Sequence, residues 1–317
     1  MGANDQVSVV ERARRGEFVT SIQLDPPNGG TTCEDLFRFA TDLAGNGWTT
    51  FDVNSTRRPL AVSALTIAAR LQAAGHAVIP HITARDALVR GILSDIRSAY
   101  ELFHLRDILV VRGDPAEDEP ATGREGLRTP RGVFEVEVPD LVDRISRDVR
   151  AGCGATDLRI GVAYTLPPPH DACVTTGVKE EHAERERLSA KFTAGADFAM
   201  TQPVFRTEDW LRVRASIDRD TNLRDRPYLV GLWPIFDQRT LTFLTERGCD
   251  GVFFPRQLRE QYDRHAPSDW GRISMDACES IVAQLQRDGT AAGAYIVTPF
   301  RKGLWPQFLE LLRKIRP

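Results

Sequence analysis

Four short runs put polar side chains where apolar, β-prone stretches give way to loop. SIQLDPP carries Gln23, PHITARD carries His81 with Arg85 and Asp86 behind it, VVRGDPA carries Arg112, Gly113 and Asp114, and TQPVF carries Gln202. The set offers an imidazole and a carboxylate for proton transfer near neutral pH, a guanidinium for an anion, and two amides to orient a flat polar ligand. Gly113, lacking a Cβ, lets a ligand approach the backbone closely. No His-x-His or His-Glu-x-x-His spacing suggests a metal, and no Gly-x-Ser-x-Gly or Gly-x-x-x-x-Gly-Lys run suggests a nucleophile elbow or a P-loop. Redox or group-transfer chemistry on an organic cofactor therefore fits better than hydrolysis. Taken singly, each residue also has a structural reading: a hydrogen-bonded core histidine, a turn with a local ion pair, an amide capping a backbone group. Gathered at one rim they point to a site, because buried polar groups need partners.

What could gather them is a parallel barrel. Candidate strands are Glu17 to Leu24, Thr49 to Asn54, Ala77 to Ile82, Asp107 to Arg112, Leu158 to Tyr164, Phe198 to Thr201, Tyr228 to Leu232 and Ala294 to Val297. Between them run helical patterns, among them Thr32 to Gly45, Leu60 to Ala74, Asp86 to Leu105, Val138 to Ala151, Val178 to Gly195 and Thr207 to Ile217. Strand and helix in alternation mean a parallel sheet, and the count favours a (β/α)8 TIM barrel, an α/β fold. An open doubly wound sheet is the alternative, but no Gly-x-Gly-x-x-Gly follows the first strand. Two polar stretches, from Arg112 to Val138 and after Tyr164, follow strand C-termini, the end at which a barrel builds its site. Extra helices are expected before the last strand, between Pro255 and Asp288. The organisation expected is one barrel domain over residues 1–317, with residues 1–16 as an N-terminal extension.

Composition narrows the class. The 317 residues are 42% hydrophobic and 27% charged with a net charge of -3, the signs interspersed, so nothing marks a nucleic-acid or anionic membrane surface. No apolar run approaches the roughly 20 residues of a membrane span, and the first residues lack a signal peptide's apolar core, so a cytoplasmic protein is expected. Five cysteines, odd in number and never in a Cys-x-x-Cys pair, give neither a disulfide framework nor a zinc site.

The runs SIQLDPP, PHITARD, DILVVRGDPA, RGVFEVEV, KFTAGADFAMTQPVF, VGLWPI and AGAYIVTPF, in this order and spread over nearly the whole chain, together resemble the methylenetetrahydrofolate reductase family. The resemblance implies a (β/α)8 barrel with FAD at its C-terminal rim, reduced by NADH or NADPH, and passing hydride to 5,10-methylenetetrahydrofolate to give 5-methyltetrahydrofolate. Carried over by position, Asp114 would sit near the flavin and the folate pterin, and Gln202 would contact folate and nicotinamide. His81, Arg112, Gly113, Tyr164 and Lys191 match positions lining the FAD, with Lys191 meeting the pyrophosphate. His170 matches a family histidine loosely. Asp52 falls where some members carry threonine. Barrels of this kind often associate, so a homo-oligomer stays open.

The sequence departs from the family pattern at Gln23. The family carries a glutamate there, assigned as the general acid that opens the folate's imidazolidine ring. Opening needs a proton on the departing nitrogen, which a carboxylic acid supplies and an amide does not. Asp25, on the same strand parity, could be recruited through water. Three readings follow: a reductase with a modified acid site, a relative whose folate or flavin chemistry has been redirected, and a binding subunit impaired in catalysis.

Overall fold

The computed structural model describes residues 7–27, 30–55, 62–84, 87–113, 136–175, 178, 180–249 and 251–315. Its strands are β1 (Val19–Leu24), β2 (Thr50–Val53), β3 (Ala77–Thr83), β4 (Asp107–Val111), β5 (Arg159–Tyr164), β6 (Phe198–Val204), β7 (Tyr228–Leu232) and β8 (Gly293–Val297). All pair in parallel in chain order, and β8 pairs back with β1, which closes a (β/α)8 barrel. The strands expected from sequence are present in the same order. Their ends differ from expectation by no more than two residues except in β6, which runs on past Thr201 to Val204 through a register shift between Met200 and Pro203. Proline there has no N–H for the ladder, so the pairing must adjust around it.

Strand parity sorts the side chains into two cores. Outward residues such as Ile22, Leu24, Phe51, Val53, Ile108, Val110, Ile160 and Val162 pack against the helices. Inward residues, Val19, Ile79, Leu109, Phe198, Met200, Leu229 and Tyr295, fill the barrel itself. Two glycines make room for the largest of these. A Cβ on Gly161 would lie 2.5 Å from the Phe198 ring, and one on Gly231 would lie 2.5 Å from Tyr295 Oη. Neither distance is tolerable, so the two aromatic rings occupy space that only glycine leaves.

The ring helices include α2 (Cys33–Gly45), opened by a Thr32–Asp35 capping box, then α3 (Ala64–Ala73), α4 (Val89–Phe103), α5 (Val138–Arg144), α6 (Glu181–Thr193) and α7 (Thr207–Ile217). α5 widens into a π-helical stretch, Ile145–Ala151, within the helix expected from Val138 to Ala151. Helices do precede the last strand, but their roles divide. α10 (Trp270–Asp288) packs on α7, on β8 and on α11 (Trp305–Leu312), so it is the ring helix of that crossover, and the shorter α8 (Gln238–Thr242) and α9 (Arg256–Asp263) are the additions.

Within the stretch read as an N-terminal extension lies a plug. α1 (Val9–Arg14) carries Val9 and Val10, both 1% exposed, into the interior cluster with Val19, Ile79 and Leu109. Burying two valines supplies on the order of 3–5 kcal/mol of apolar stabilisation. The Val9 N–H, an orphan donor of the helix start, is taken by Asp107 Oδ2 at 3.1 Å, and Arg12 donates to Thr50 Oγ1 at 2.8 Å. The N-terminal mouth of the barrel is thereby closed, which leaves the opposite mouth for a ligand.

Candidate active site

Polar residues break the apolar interior on three neighbouring strands. On β1 the inward positions are Ser21 and Gln23, followed by Asp25; on β2 they are Asp52, then Asn54; on β3, His81. Register sets Gln23 opposite Asp52 on one side and Val297 on the other. Ser21 Oγ donates to Asp52 Oδ1 at 2.7 Å, His81 Nε2 lies 3.6 Å from Asp52 Oδ2, His81 Nδ1 meets Asn54 Oδ1 at 3.2 Å, and Asn54 Nδ2 donates to Asp25 Oδ1 at 2.8 Å. The result is a polar ladder climbing from the barrel floor at Ser21 to its rim at Asp25. Asp52 is fully buried, whereas His81 keeps 9% of its side chain exposed. Asp52 Oδ2 and His81 Nε2 have no hydrogen-bond partner among the described residues.

Across the barrel, Gln202 lies within β6 at the register irregularity, half-buried, with Gly251 and Thr165 close by. Beside it Thr201 ties three strands together: its hydroxyl accepts from Gly231 N at 3.0 Å and its carbonyl accepts from Tyr295 Oη at 2.6 Å. Aromatic rings wall this side. Trp233, just past β7, meets Phe300 edge-on at 5.5 Å, and Phe205 meets Phe254 at 4.6 Å.

Of the remaining expected residues, the described ones lie at or beside the ends of β4 and β5. Arg112 is exposed immediately after β4, and Gly113 follows with φ of 78°, a left-handed conformation that suits glycine. Asp114 lies outside the described residues, as do Arg85 and Asp86. Lys191, on α6, reaches β5 and donates to the Ala163 carbonyl at 2.7 Å. Tyr164 has outward parity; it packs between strands and helices, burial raises its hydroxyl pKa to about 12, and the barrel interior does not receive it. His170 stands exposed on the loop after β5. Its neighbour Asp171 is the anchored residue, held by Arg206 Nη2 at 2.9 Å and the Gln257 N–H at 3.3 Å. Arg206 also grips Asp209, so one guanidinium fastens the β5 loop to the start of α7.

Reading the sequence for strand ends alone passed over Ser21 and Asn54. Their signal was present: polar residues two apart, at 21, 23 and 25 and again at 52 and 54, in strands otherwise apolar.

The sequence matches the methylenetetrahydrofolate reductase family over residues 8–311. The chain belongs to that family. No curated protein matches it by sequence. Among solved structures, an uncharacterized protein from Clostridium thermocellum that binds two copies of 5-methyl-5,6,7,8-tetrahydrofolic acid superposes with a TM-score of 0.63 at 15% identity, covering 96% of each chain. The DHPS of Yersinia pestis with a pterine-sulfa conjugate gives a TM-score of 0.45 at 13% identity over 93% of each chain. At such identities the first likeness speaks for the fold, and the second is more remote. Within the family, this chain presents an amide at Gln23 beside a carboxylate at Asp52.

Proposed function

We propose that the chain reduces 5,10-methylenetetrahydrofolate to 5-methyltetrahydrofolate with FAD as bound cofactor and NADH or NADPH as reductant. The family match over residues 8–311 carries this reading, and the polar ladder at the C-terminal mouth supports it. The residues present suit a flavin dinucleotide. Gly113, without a Cβ and in a left-handed conformation just past β4, lets a ligand approach its backbone, and Lys191 supplies a cation at the end of β5 for an anionic pyrophosphate. Arg112, Gly113 and Lys191 would hold the FAD, with Asp114 at its edge. When bound, it supplies hydride transfer between the nicotinamide and the folate carbon.

This chain's own residues do the rest. Gln202 and Gln23 present amides from opposite sides of the mouth, suited to the donor and acceptor edges of a pterin. Trp233 and Phe300 offer aromatic faces to a flat ring. The plug at α1 keeps water out from below.

The test is an anaerobic half-reaction: protein reconstituted with FAD is reduced, 5,10-methylenetetrahydrofolate is added, and flavin absorbance and 5-methyltetrahydrofolate are followed. Reoxidation with product is expected. A second reading, a folate binder without reductase activity, is favoured by Gln23, which cannot act as the acid, and by the folate bound to the Clostridium thermocellum protein. Folate binding with no reoxidation would establish that reading and refute the first.

A further inference from the structure

Between β2 and β3 the hydrogen-bond directions do not close without an extra proton. Asp25 offers a carboxyl oxygen to Asn54, so Asn54 must turn its NH2 toward it, at 2.8 Å. That fixes the Asn54 oxygen toward His81 Nδ1 at 3.2 Å, and Nδ1 must therefore carry a proton. Were His81 neutral, Nε2 would present a lone pair to Asp52 Oδ2 across 3.6 Å, two acceptors facing each other where neither atom has another partner among the described residues. A buried pair of acceptors is costly. One proton, on the imidazole or on the carboxyl, turns this repulsion into an attraction.

We propose that His81 and Asp52 form a buried imidazolium–carboxylate pair and that its proton is the acid of the site in place of Gln23. The inference rests on the folate reading above. Asp52 is the register partner of Gln23, one strand over at a spacing of about 4.8 Å. Its second oxygen is fixed by Ser21 at 2.7 Å, so the carboxylate cannot swing away from the imidazole. Asp52 has no exposure and the His81 ring keeps 9%, carried by atoms other than the buried Nε2, so His81 is the member nearer a ligand, and Asp52 is a positioning residue that holds the proton on it. In the step, the proton passes from His81 Nε2 to the departing amine nitrogen of the methylene bridge through a water that enters beside the ring when folate binds. The carbon–nitrogen bond breaks with its electron pair going to that nitrogen, and the lone pair of the other nitrogen forms the iminium. No electrons are gained or lost, and the pair is reprotonated from solvent. The groups facing the pair are Gln23 and Asp25 from the β1 side and Tyr295 from β8. Leu109 and Val111 on β4 are apolar. Tyr295 is held neutral well above its ordinary range, first by burial and then by the Asp52 charge, so it does not compete for the proton.

Two readouts decide. In nitrogen-15 spectra of histidine-labelled protein near neutral pH, His81 Nε2 should resonate as a protonated nitrogen and become an unprotonated one in Asp52→Asn. An unprotonated Nε2 in the wild type overturns the proposal without reference to activity. In single turnover, His81→Phe and Asp52→Asn should each lower 5-methyltetrahydrofolate formation about 10²–10⁴-fold. Adding Gln23→Glu to Asp52→Asn should recover all but about tenfold, because a carboxyl returns to the registered position on the neighbouring strand. Asp52→Asn turning over at the wild-type rate, or no rescue by the double variant when both fold, would overturn the assignment. Wild-type protein that binds folate but never forms product would remove the reductase reading and the acid role with it. The Nε2 resonance alone would then decide whether the imidazole carries the proton.

Discussion

Asp107 should make this protein less stable as pH rises toward neutrality, and its replacement by asparagine should abolish that loss. Asp107 opens β4 at the plugged end of the barrel, 3% exposed, with Oδ2 accepting the Val9 N–H at 3.1 Å. Burial pushes its carboxyl from 3.8 up to about 7, against the pull of the Val9 N–H and the Arg159 charge. Desolvation outweighs both because Oδ1 finds no partner among the described residues, and Arg159 spends a guanidinium nitrogen on Glu11 at 3.2 Å. The sign follows from linkage. A carboxyl whose folded value lies above its unfolded value binds a proton in the folded state that the unfolded state has already released. Its contribution is intact below the unfolded value, falls as pH rises through the interval, and is gone above the folded value. A difference of about 3 between 3.8 and about 7, at about 1.36 kcal/mol each, is about 4 kcal/mol in total. Between about pH 5 and about pH 8 the wild type should lose about 3 kcal/mol relative to Asp107→Asn, which keeps an oxygen for Val9 and has no charge to bury. Against a total stability of about 5–15 kcal/mol this is readily measured. Urea unfolding of both proteins across that range gives the difference, and other titrating groups cancel in it. Two stability curves that run parallel in pH would refute the argument that burial governs Asp107.

Three further outcomes are expected. Gly231→Ala drives a Cβ into the Tyr295 ring and should destabilise by about 1–3 kcal/mol; Tyr295→Leu should make the same substitution nearly neutral, and additive urea midpoints would show the two sites to be uncoupled. Arg206→Lys loses the fork that joins Asp171 to Asp209, so hydrogen exchange at Ala172 and Cys173 should quicken about tenfold or more, while unchanged exchange would mean that the β5 loop is held by its backbone bond from Cys173 N to Phe254 O at 2.8 Å. Lys191→Met should weaken FAD binding about tenfold to a hundredfold by flavin titration, the loss of one charge-assisted contact; equal affinity would remove Lys191 from the cofactor site.

The barrel was legible because its strands are buried on both faces. Runs such as ILVV after Asp107 and YLVGL are continuously apolar, and their alternation with amphipathic helices leaves few topologies. Helix α7 was readable to its last residue for the same reason, an apolar stripe at helical spacing. The continuation of β6 past Thr201 was not, because TQPV contains a proline that local rules treat as a stop, and only its pairing with β7 holds it extended. The plug helix was unreadable as such: VVERAR is six residues long, too short to be helical alone, and it exists because the barrel floor accepts its valines and Asp107 its first N–H.

At the site, residue types and strand ends are local facts, and Gln23, His81 and Gln202 could be named from them. Partnership is not local. That Asp52 sits opposite Gln23, with His81 turned toward it and Asn54 one inward position further along, follows from the registers of β1 with β2 and of β2 with β3. A shift of one residue in either would send Asp52 into the helix layer. The sequence supplied a carboxamide where the family has an acid; tertiary structure decided that a carboxylate and an imidazole stand next to it.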